Sequence, residues 1–224
     1  MSEAYIIDAV RTPVGRRGGG LSDVHPADLG AHAIKGLLDR AGVDPLAVDD
    51  VIMGCLDNMG PQAGDVARTA WLAAGMPESV PGVTVDRQCG SGQQAVSFAA
   101  MGVMSGVQDI VVAGGIQNMS LIPIGSAMDV MGHESIGHPE IEDPFTTSKG
   151  WVDRYGTQEV SQFRGAELIA KKWDLSREQL EEFALESHER AAKAQDEGRF
   201  DNEILPYGDI PVSYTHLTLP TNRE

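Results

Sequence analysis

Residues 88–108 form an uncharged stretch that restricts the fold more than any other part of the chain. It lies between two short runs typical of β-strands, residues 81–86 and 109–113, and consists mostly of small and apolar residues. A strand, a helix and a second strand in this order predict a βαβ unit with parallel strands. Because nearly every side of the helix is apolar, we expect it to be buried on all sides.

Cys89 lies at the start of this predicted helix. At a helix N-terminus, the unpaired backbone N–H groups and the positive end of the helix dipole stabilise a thiolate. In parallel sheets, active sites also gather beyond the C-terminal ends of the strands, and Cys89 follows the strand predicted at residues 81–86. The pattern therefore predicts a nucleophilic cysteine. The non-catalytic alternatives are a cysteine that is merely buried in the core and a redox-sensing thiol.

The residues before this unit alternate between predicted strands and predicted helices. We expect strands at residues 4–10 and 50–54, and helices at residues 26–41 and 62–74, each helix being followed by a glycine. Strands and helices that alternate through short loops are typical of a mainly parallel sheet with helices on both faces. The predicted fold class is therefore α/β, with layers of helix and sheet.

Residues 114–150 break this pattern, because they are rich in Gly, Pro, Met and Ser and have no steady hydrophobic period. Long irregular segments of this kind are usually functional, and we interpret this one as a loop subdomain. Helices are predicted to follow at residues 165–173 and 176–197. The second should have Ser176 as its N-cap and should bury an apolar stripe that includes Leu180 and Phe183.

The formal net charge of −16 argues against nucleic acid or an anionic membrane as a partner, because little positive charge is available to neutralise phosphates. The two cysteines, Cys55 and Cys89, imply no disulfide framework and favour a reducing compartment, so we expect a cytoplasmic protein without a signal peptide. The basic loop at residues 16–20 is either a surface loop or a contact for an anion. His133 and His138 lack the spacing of metal ligands, and no metal site is predicted.

Four segments in consistent order resemble the thiolase family, which comprises acetyl-CoA acetyltransferases and 3-ketoacyl-CoA thiolases. They are DAVRTPVG (8–15), VDRQCGSGQQA (85–95), VVAGGIQNMS (111–120) and SREQLEEFALESHERAAKAQDEGRFDNEILP (176–206). The resemblance implies a thiolase-like fold in which this chain is similar to the N-terminal half plus the loop domain, with the C-terminal half absent. Residues 60–75 and 85–95 are most similar to thiolases of bacterial fatty-acid and steroid side-chain degradation.

The resemblance also implies an activity. The Cys89 thiolate would attack the acyl carbonyl of an acyl-CoA, and its backbone N–H would help to bind the thioester oxyanion. The implied reaction is 3-ketoacyl-CoA thiolysis or acetoacetyl-CoA formation, with acyl-CoA and CoA as partners and without a metal or redox cofactor. Full-length members of the family imply a homodimer or a homotetramer.

The chain departs from the family pattern in two respects. Residues 161–165 (SQFRG) replace a His-Met-Gly segment that contacts CoA in many thiolases, so CoA contacts and the preferred acyl chain are not carried over. The GHP-type histidine and CxG cysteine of the family's C-terminal half are absent, so we expect the chain to be inactive alone as a complete thiolase, with the acylation of Cys89 as the most that could survive. The alternatives are a ketoacyl synthase-like or hydroxymethylglutaryl-CoA synthase-like condensing enzyme and a non-catalytic fragment, although the RTPVG and GGIQNMS segments favour a thiolase.

Three parts are therefore predicted along the chain. Residues 1–117 form a thiolase N-terminal core, and residues 118–211 form the loop domain with its following helices. Residues 212–224 (VSYTHLTLPTNRE) resemble the translation of a sequencing-adapter read-through, so we expect native sequence to stop near Pro211 or Val212. The alternative for this tail is a real edge strand.

Overall fold

The computed structural model describes residues 3–128 and 144–210. The described residues form two compact units, one of residues 3–126 with 200–210 and one of residues 127–128 with 144–199. The division predicted between residues 117 and 118 stays a prediction. The predicted non-native tail, His133 and His138 lie outside the described residues.

The first unit is built on a parallel sheet of three strands. They are β1 (Asp50–Gly54), β2 (Gly82–Val85) and β3 (Val111–Gly115), in the order β2-β1-β3. Helix α3 (Ser91–Ser105) joins β2 to β3 and crosses over β1, the central strand. The βαβ unit and the α/β fold class predicted from the sequence are thus confirmed.

Two further helices precede and follow β1, at positions that the sequence largely predicts. Helix α1 (Pro26–Ala41) has proline at its first position and ends at Gly42, whose φ of 64° is the left-handed conformation that glycine adopts readily. Helix α2 (Val66–Ala73) starts later than predicted, because residues 60–62 form a separate 3₁₀ turn and Asp65 caps α2 by accepting a hydrogen bond from the Arg68 N–H. A second 3₁₀ turn covers Pro45–Ala47.

The core lies on both faces of the sheet. On one face, Val51 and Met53 of β1 pack in a cluster with Ile34 and Leu38 of α1 and with the buried residues of α2, among them Trp71. On the other face, Ile52 packs with Ala95 and Ala99 of α3. Because side chains alternate along a strand, β1 supplies both clusters and fixes the three layers of helix, sheet and helix.

Helix α3 is not buried on all sides, and this prediction was wrong. Its buried residues are Ser91, Ala95 and Ala99, which face the sheet, whereas Phe98 is 41% exposed and Met101 is 60% exposed. The helix is apolar all round, but the described residues supply a packing layer on one side of it only. The first unit therefore presents an apolar helix face of the kind that marks an interaction surface.

The prediction of a strand at residues 4–10 was also wrong, because the segment is extended but belongs to no sheet among the described residues. Tyr5 and Ile6 are 77% and 79% exposed. An extended segment becomes a strand only when a neighbour takes up its N–H and C=O groups, and here pairing begins at Arg11, which bridges to Ile204. The segment is held instead by Arg40 of α1, which donates hydrogen bonds to the Asp8 carboxylate and to the carbonyls of Ala9 and Asn202.

The second unit contains helices α4 (Lys149–Tyr155), α5 (Gln162–Lys172) and α6 (Arg177–Asp196). Helix α6 begins with the predicted N-cap, Ser176, which forms a full capping box with Gln179. Its apolar stripe was predicted to be buried, and that was wrong: α6 has no buried residue. The stripe has no closely packed partner in the described part of the unit. Across the described residues, no helix is long and apolar enough to cross a membrane.

Candidate active site

Cys89 lies in the short turn between β2 and α3, beyond the C-terminal end of its strand. It comes directly before Gly90, the N-cap of α3, and its side chain is exposed. The placement at a helix start is as the sequence predicts. The N–H groups of Gly90 and Ser91 donate to the carbonyls of Arg87 and Gln88 at 3.1 and 3.0 Å, so the helix start acts on an anion near Cys89 mainly through the positive end of its dipole.

The residue before Cys89 has an unusual backbone. Gln88 has a φ of 48°, in the left-handed region, which costs a non-glycine residue about 1–2 kcal/mol. Hydrogen bonds hold the turn in this conformation: the Gln88 N–H donates to the Asp86 carboxylate at 2.7 Å, and the Gly90 N–H donates to the Arg87 carbonyl at 3.1 Å. A left-handed residue held by its neighbours in this way is typical of functional turns.

Ser91, the first residue of α3, is the main side-chain anchor of this turn. Its hydroxyl accepts a hydrogen bond from the Arg87 N–H at 2.8 Å and donates one to the Gln88 carbonyl at 2.5 Å. The side chain is buried, and each such bond contributes about 0.5–1.5 kcal/mol to stability. Together the two bonds are enough to offset the energetic cost of the left-handed conformation of Gln88. Sequence reasoning missed Ser91; the available signal was a hydroxyl residue two positions after the cysteine, between Gly90 and Gly92.

Glycines allow the first turn of α3 to pack directly against the C-terminal ends of β1 and β3. A Cβ at Gly54, the last residue of β1, would lie 2.3 Å from the carbonyl carbon of Ser91 and 2.4 Å from the nitrogen of Gly92. A Cβ at Gly115 of β3 would lie 3.6 Å from the Cα of Gly92. Backbone therefore touches backbone at the helix start, and only glycine at position 54 permits this contact.

The second cysteine lies in a different environment. Cys55 directly follows β1 and is buried, with its thiol directed at the carbonyl of Leu56 and the side-chain oxygen of Gln117. Burial, with a further contribution from the charges of Asp86 and Asp57, raises the pKa of Cys55 to about 11. Cys55 is thus an unreactive thiol near neutral pH, whereas Cys89 is exposed.

Asn118 organises the loops on the other side of the strand ends. It is buried, its amide donates hydrogen bonds to the carbonyls of Leu21, Ser22 and Val24, and its side-chain oxygen accepts from the N–H groups of Ser120 and Leu121. The two loops that it joins line a cavity of about 770 Å³.

Arg16 and Arg17 are among the residues that line this cavity, but Cys89 is not. The anion contact predicted at residues 16–20 stays a prediction. Residues 3–128 and 144–210 contain no cluster of three or more His, Cys, Asp or Glu residues placed to hold a metal ion.

Comparison with known proteins gives consistent results. The family model described as "Thiolase, N-terminal domain" matches residues 4–215. A steroid 3-ketoacyl-CoA thiolase FadA6 of Mycobacterium tuberculosis is 62% identical over 92% of this chain and 49% of its own length. A 3-oxoadipyl-CoA/3-oxo-5,6-dehydrosuberyl-CoA thiolase of Escherichia coli is 40% identical over 92% of this chain and 52% of its own length.

Among solved structures, the crystal structure of the Bacillus anthracis acetyl-CoA acetyltransferase matches with a TM-score of 0.67 and 33% identity. The match covers 89% of this chain and 49% of that one. The chain therefore spans about half the length of the curated relatives and of the structure that it matches.

Proposed function

Because the chain belongs to the thiolase family, as the match of the N-terminal domain model to residues 4–215 shows, we propose that Cys89 is the nucleophile of an acyl transfer between CoA thioesters. The observation that carries the proposal is the contrast between the two cysteines. Cys89 is exposed at a helix start behind a left-handed residue, whereas Cys55 is buried with a raised pKa. Only the first can meet a substrate.

The chemistry follows from this placement. The Cys89 thiolate attacks the carbonyl carbon of an acyl-CoA, the new C–S bond forms, and the bond between the carbonyl carbon and the CoA sulfur breaks. CoA leaves as a thiolate and takes up a proton from solvent. The N–H of Cys89 and the positive end of the α3 dipole stabilise the negative charge on the carbonyl oxygen while the carbon is tetrahedral. With a 3-ketoacyl-CoA, the attacked carbon is the ketone carbon, its bond to the α-carbon breaks, and acetyl-CoA leaves as a carbanion that takes up a proton from solvent. The thiolate of a second CoA then attacks the acyl-Cys89 thioester, and the bond between the carbonyl carbon and the Cys89 sulfur breaks, which releases the shortened acyl-CoA and the Cys89 thiolate.

The relatives support a degradative role on 3-ketoacyl-CoA substrates. The similar protein from M. tuberculosis is named a steroid 3-ketoacyl-CoA thiolase and the one from E. coli a 3-oxoadipyl-CoA thiolase, and identity to the first is clearly higher. We therefore place the substrate among 3-ketoacyl-CoA thioesters from fatty-acid or steroid side-chain degradation. The proposal includes a cytoplasmic location, no metal or redox cofactor, and a full-length homodimer or homotetramer.

Acylation of the chain itself tests the proposal. The purified protein is incubated with acetyl-CoA, digested and analysed by mass spectrometry, and we expect the mass of one acetyl group on the peptide that contains Cys89. C89S should lose this adduct, whereas the matched control C55S should keep it. An adduct on Cys55, or no adduct on either cysteine in the folded protein, would contradict the proposal.

The choice of thioester separates the proposal from the alternative of a ketoacyl synthase-like condensing enzyme. A thiolase half-reaction uses CoA thioesters, so Cys89 should be acylated faster by acetyl-CoA than by an acetyl-acyl-carrier-protein at equal concentration. The reverse preference would favour the condensing enzyme while keeping Cys89 as the nucleophile.

A further inference from the structure

We propose that Ser91 is the positioning residue of Cys89: its buried hydroxyl grips the turn before the cysteine and thereby sets where the thiol and its N–H lie relative to α3. The inference rests on the proposed function, because it assigns to Ser91 an effect on the acylation of Cys89. Ser91 itself does not touch the reacting atoms.

The hydroxyl uses both of its hydrogen-bonding capacities on the two residues before Cys89. It accepts from the Arg87 N–H at 2.8 Å and donates to the Gln88 carbonyl at 2.5 Å. The two bonds close around the Arg87–Gln88 dipeptide, whose second residue has the φ of 48°. The Gln88 carbonyl belongs to the peptide unit that also carries the Cys89 N–H. The Ser91 N–H donates to the same carbonyl at 3.0 Å, and the hydroxyl adds the second bond that fixes this peptide unit and with it the orientation of the proposed oxyanion donor.

Ser91 is itself fixed, so it can serve as a reference point. It is only 4% exposed, and its backbone rests on Gly54 at the end of β1. The contacts thus form a continuous series from the sheet, through the first turn of α3 and the Ser91 hydroxyl, to the residue before the nucleophile. A group placed by a rigid element holds its geometry better than one placed by a free loop.

Other serines of α3 show that this is not the ordinary behaviour of a helical serine. Ser97 and Ser105 donate to carbonyls of the preceding turn, those of Gln93 and Gly102, which is common for serine within a helix. Ser91 makes the same kind of bond to Gln88 and in addition accepts from Arg87, outside the helix. Ser97 is therefore the matched control position.

The test compares variants that differ only in the hydroxyl. S91T keeps the hydroxyl and S91V replaces it with a methyl group of similar shape, while S91A removes it and S97A is the control. Two measurements are made on each full chain: amide hydrogen exchange at residues 87–89, and the rate of Cys89 acetylation by acetyl-CoA. Alkylation of Cys55 is followed in parallel as a measure of global opening.

We expect faster exchange at residues 87–89 in S91V and S91A, and acetylation of Cys89 slower by about 10- to 100-fold, the usual effect of a reacting group displaced by about an ångström. S91T and S97A should stay close to the wild-type rate. Cys55 should remain protected in every variant, because the core is unchanged.

Three results would overturn the assignment: equal exchange at residues 87–89 in S91V and S91T, equal acetylation rates in those two variants, or a slower rate accompanied by exposure of Cys55. The first shows that the hydroxyl does not hold the turn. The last shows a purely structural role. A wild-type chain that is never acetylated on Cys89 instead contradicts the proposed function, and the exchange measurement separates that failure from a failure of Ser91 to hold the turn.

Discussion

Gly54 and Ser91 touch through their backbones at the point where β1 ends and α3 begins, with only 2.3 Å between the position of a Cβ on residue 54 and the Ser91 carbonyl carbon. Real Cβ atoms do not approach a backbone carbon this closely, so a side chain at position 54 must displace α3 from the sheet. Because α3 begins directly after the turn that contains Cys89, the displacement reaches the candidate nucleophile.

The substitution Gly54→Ala is therefore expected to lower the free energy of unfolding by about 1–3 kcal/mol, the usual cost of overpacking, and to slow the acetylation of Cys89. Urea unfolding followed by circular dichroism measures the first effect. Gly165→Ala, in α5, is the control, because nothing lies within 4 Å of the added Cβ. Alanine is more favourable than glycine in a helix by about 1 kcal/mol, so this variant should not be destabilised. Equal stability of Gly54→Ala and the wild type would show that the contact is looser than described.

Asn118→Ala should destabilise the first unit by about 2–4 kcal/mol. The substitution leaves the carbonyls of Leu21, Ser22 and Val24 and two N–H groups without their side-chain partner. Limited proteolysis should then cut the chain around residues 16–24 and 118–125. Asn58→Ala, which removes one hydrogen bond from an exposed side chain to the Cys55 carbonyl, should change stability by less than about 1 kcal/mol.

The two cysteines should differ sharply in alkylation. At neutral pH, iodoacetamide should modify Cys89 in the folded chain and leave Cys55 unmodified until urea exposes it. Because the pKa of Cys55 is raised to about 11 from an ordinary value near 9, the unfolded chain loses this proton at lower pH than the folded chain. Stability should therefore be independent of Cys55 below about pH 9 and should decline between about pH 9 and 11.

C55S should remove that part of the alkaline decline, which thermal unfolding at several pH values would measure. Rapid alkylation of Cys55 in the folded protein at neutral pH would contradict the burial of this thiol.

Arg40→Ala should release the N-terminal segment from α1. The hydrogen bonds from Arg40, and after them the one from the Ala9 N–H, hold the pKa of Asp8 below its ordinary value near 3.8. A lowered pKa stabilises the folded state above pH 3.8, and this contribution is lost as the pH falls through the lowered value. In Arg40→Ala, the pKa of Asp8 measured by NMR titration should rise, and amide exchange over residues 8–11 should quicken.

Arg177→Ala serves as the control for this prediction, because it breaks an exposed ion pair with Glu181 in α6. It should leave the titration of Asp8 unchanged. An Asp8 pKa that is the same with and without Arg40 would show that the ion pair does not persist in solution.

Local signals in the sequence predicted the elements whose ends are fixed by their own residues. Helix α1 has the predicted bounds, from its proline to its left-handed glycine, and the capping box of α6 was readable from Ser176 and Gln179. The place of Cys89 before a helix followed from the uncharged stretch between two strands. These features depend on hydrogen bonds within a few residues of each other, which a sequence pattern records.

Features that depend on a distant partner were not predictable in the same way. Residues 4–10 have the composition of a strand but no neighbour to pair with in the described structure, and α3 is apolar all round yet covered on one side. Similarly, the role proposed for the Ser91 hydroxyl depends on the left-handed backbone of Gln88, and the residue type at position 88 does not predict that conformation. Sequence patterns state what a segment can bury or bond, and the rest of the fold decides whether it does.

The order of the strands carries a consequence for how the protein acquires its candidate site during synthesis. Strand β1 leaves the ribosome before both of its neighbours, and the turn containing Cys89 emerges between them. The strand ends that support this turn are complete only when β3 pairs with β1. The Ile116 N–H then donates to the Gly54 carbonyl, and Gly115 contacts Gly92. A nascent chain that ends within α3 would contain Cys89 but not the paired ends of β1 and β3 that support its turn. We therefore expect Cys89 to become acylated only after β3 has been translated and has paired with β1.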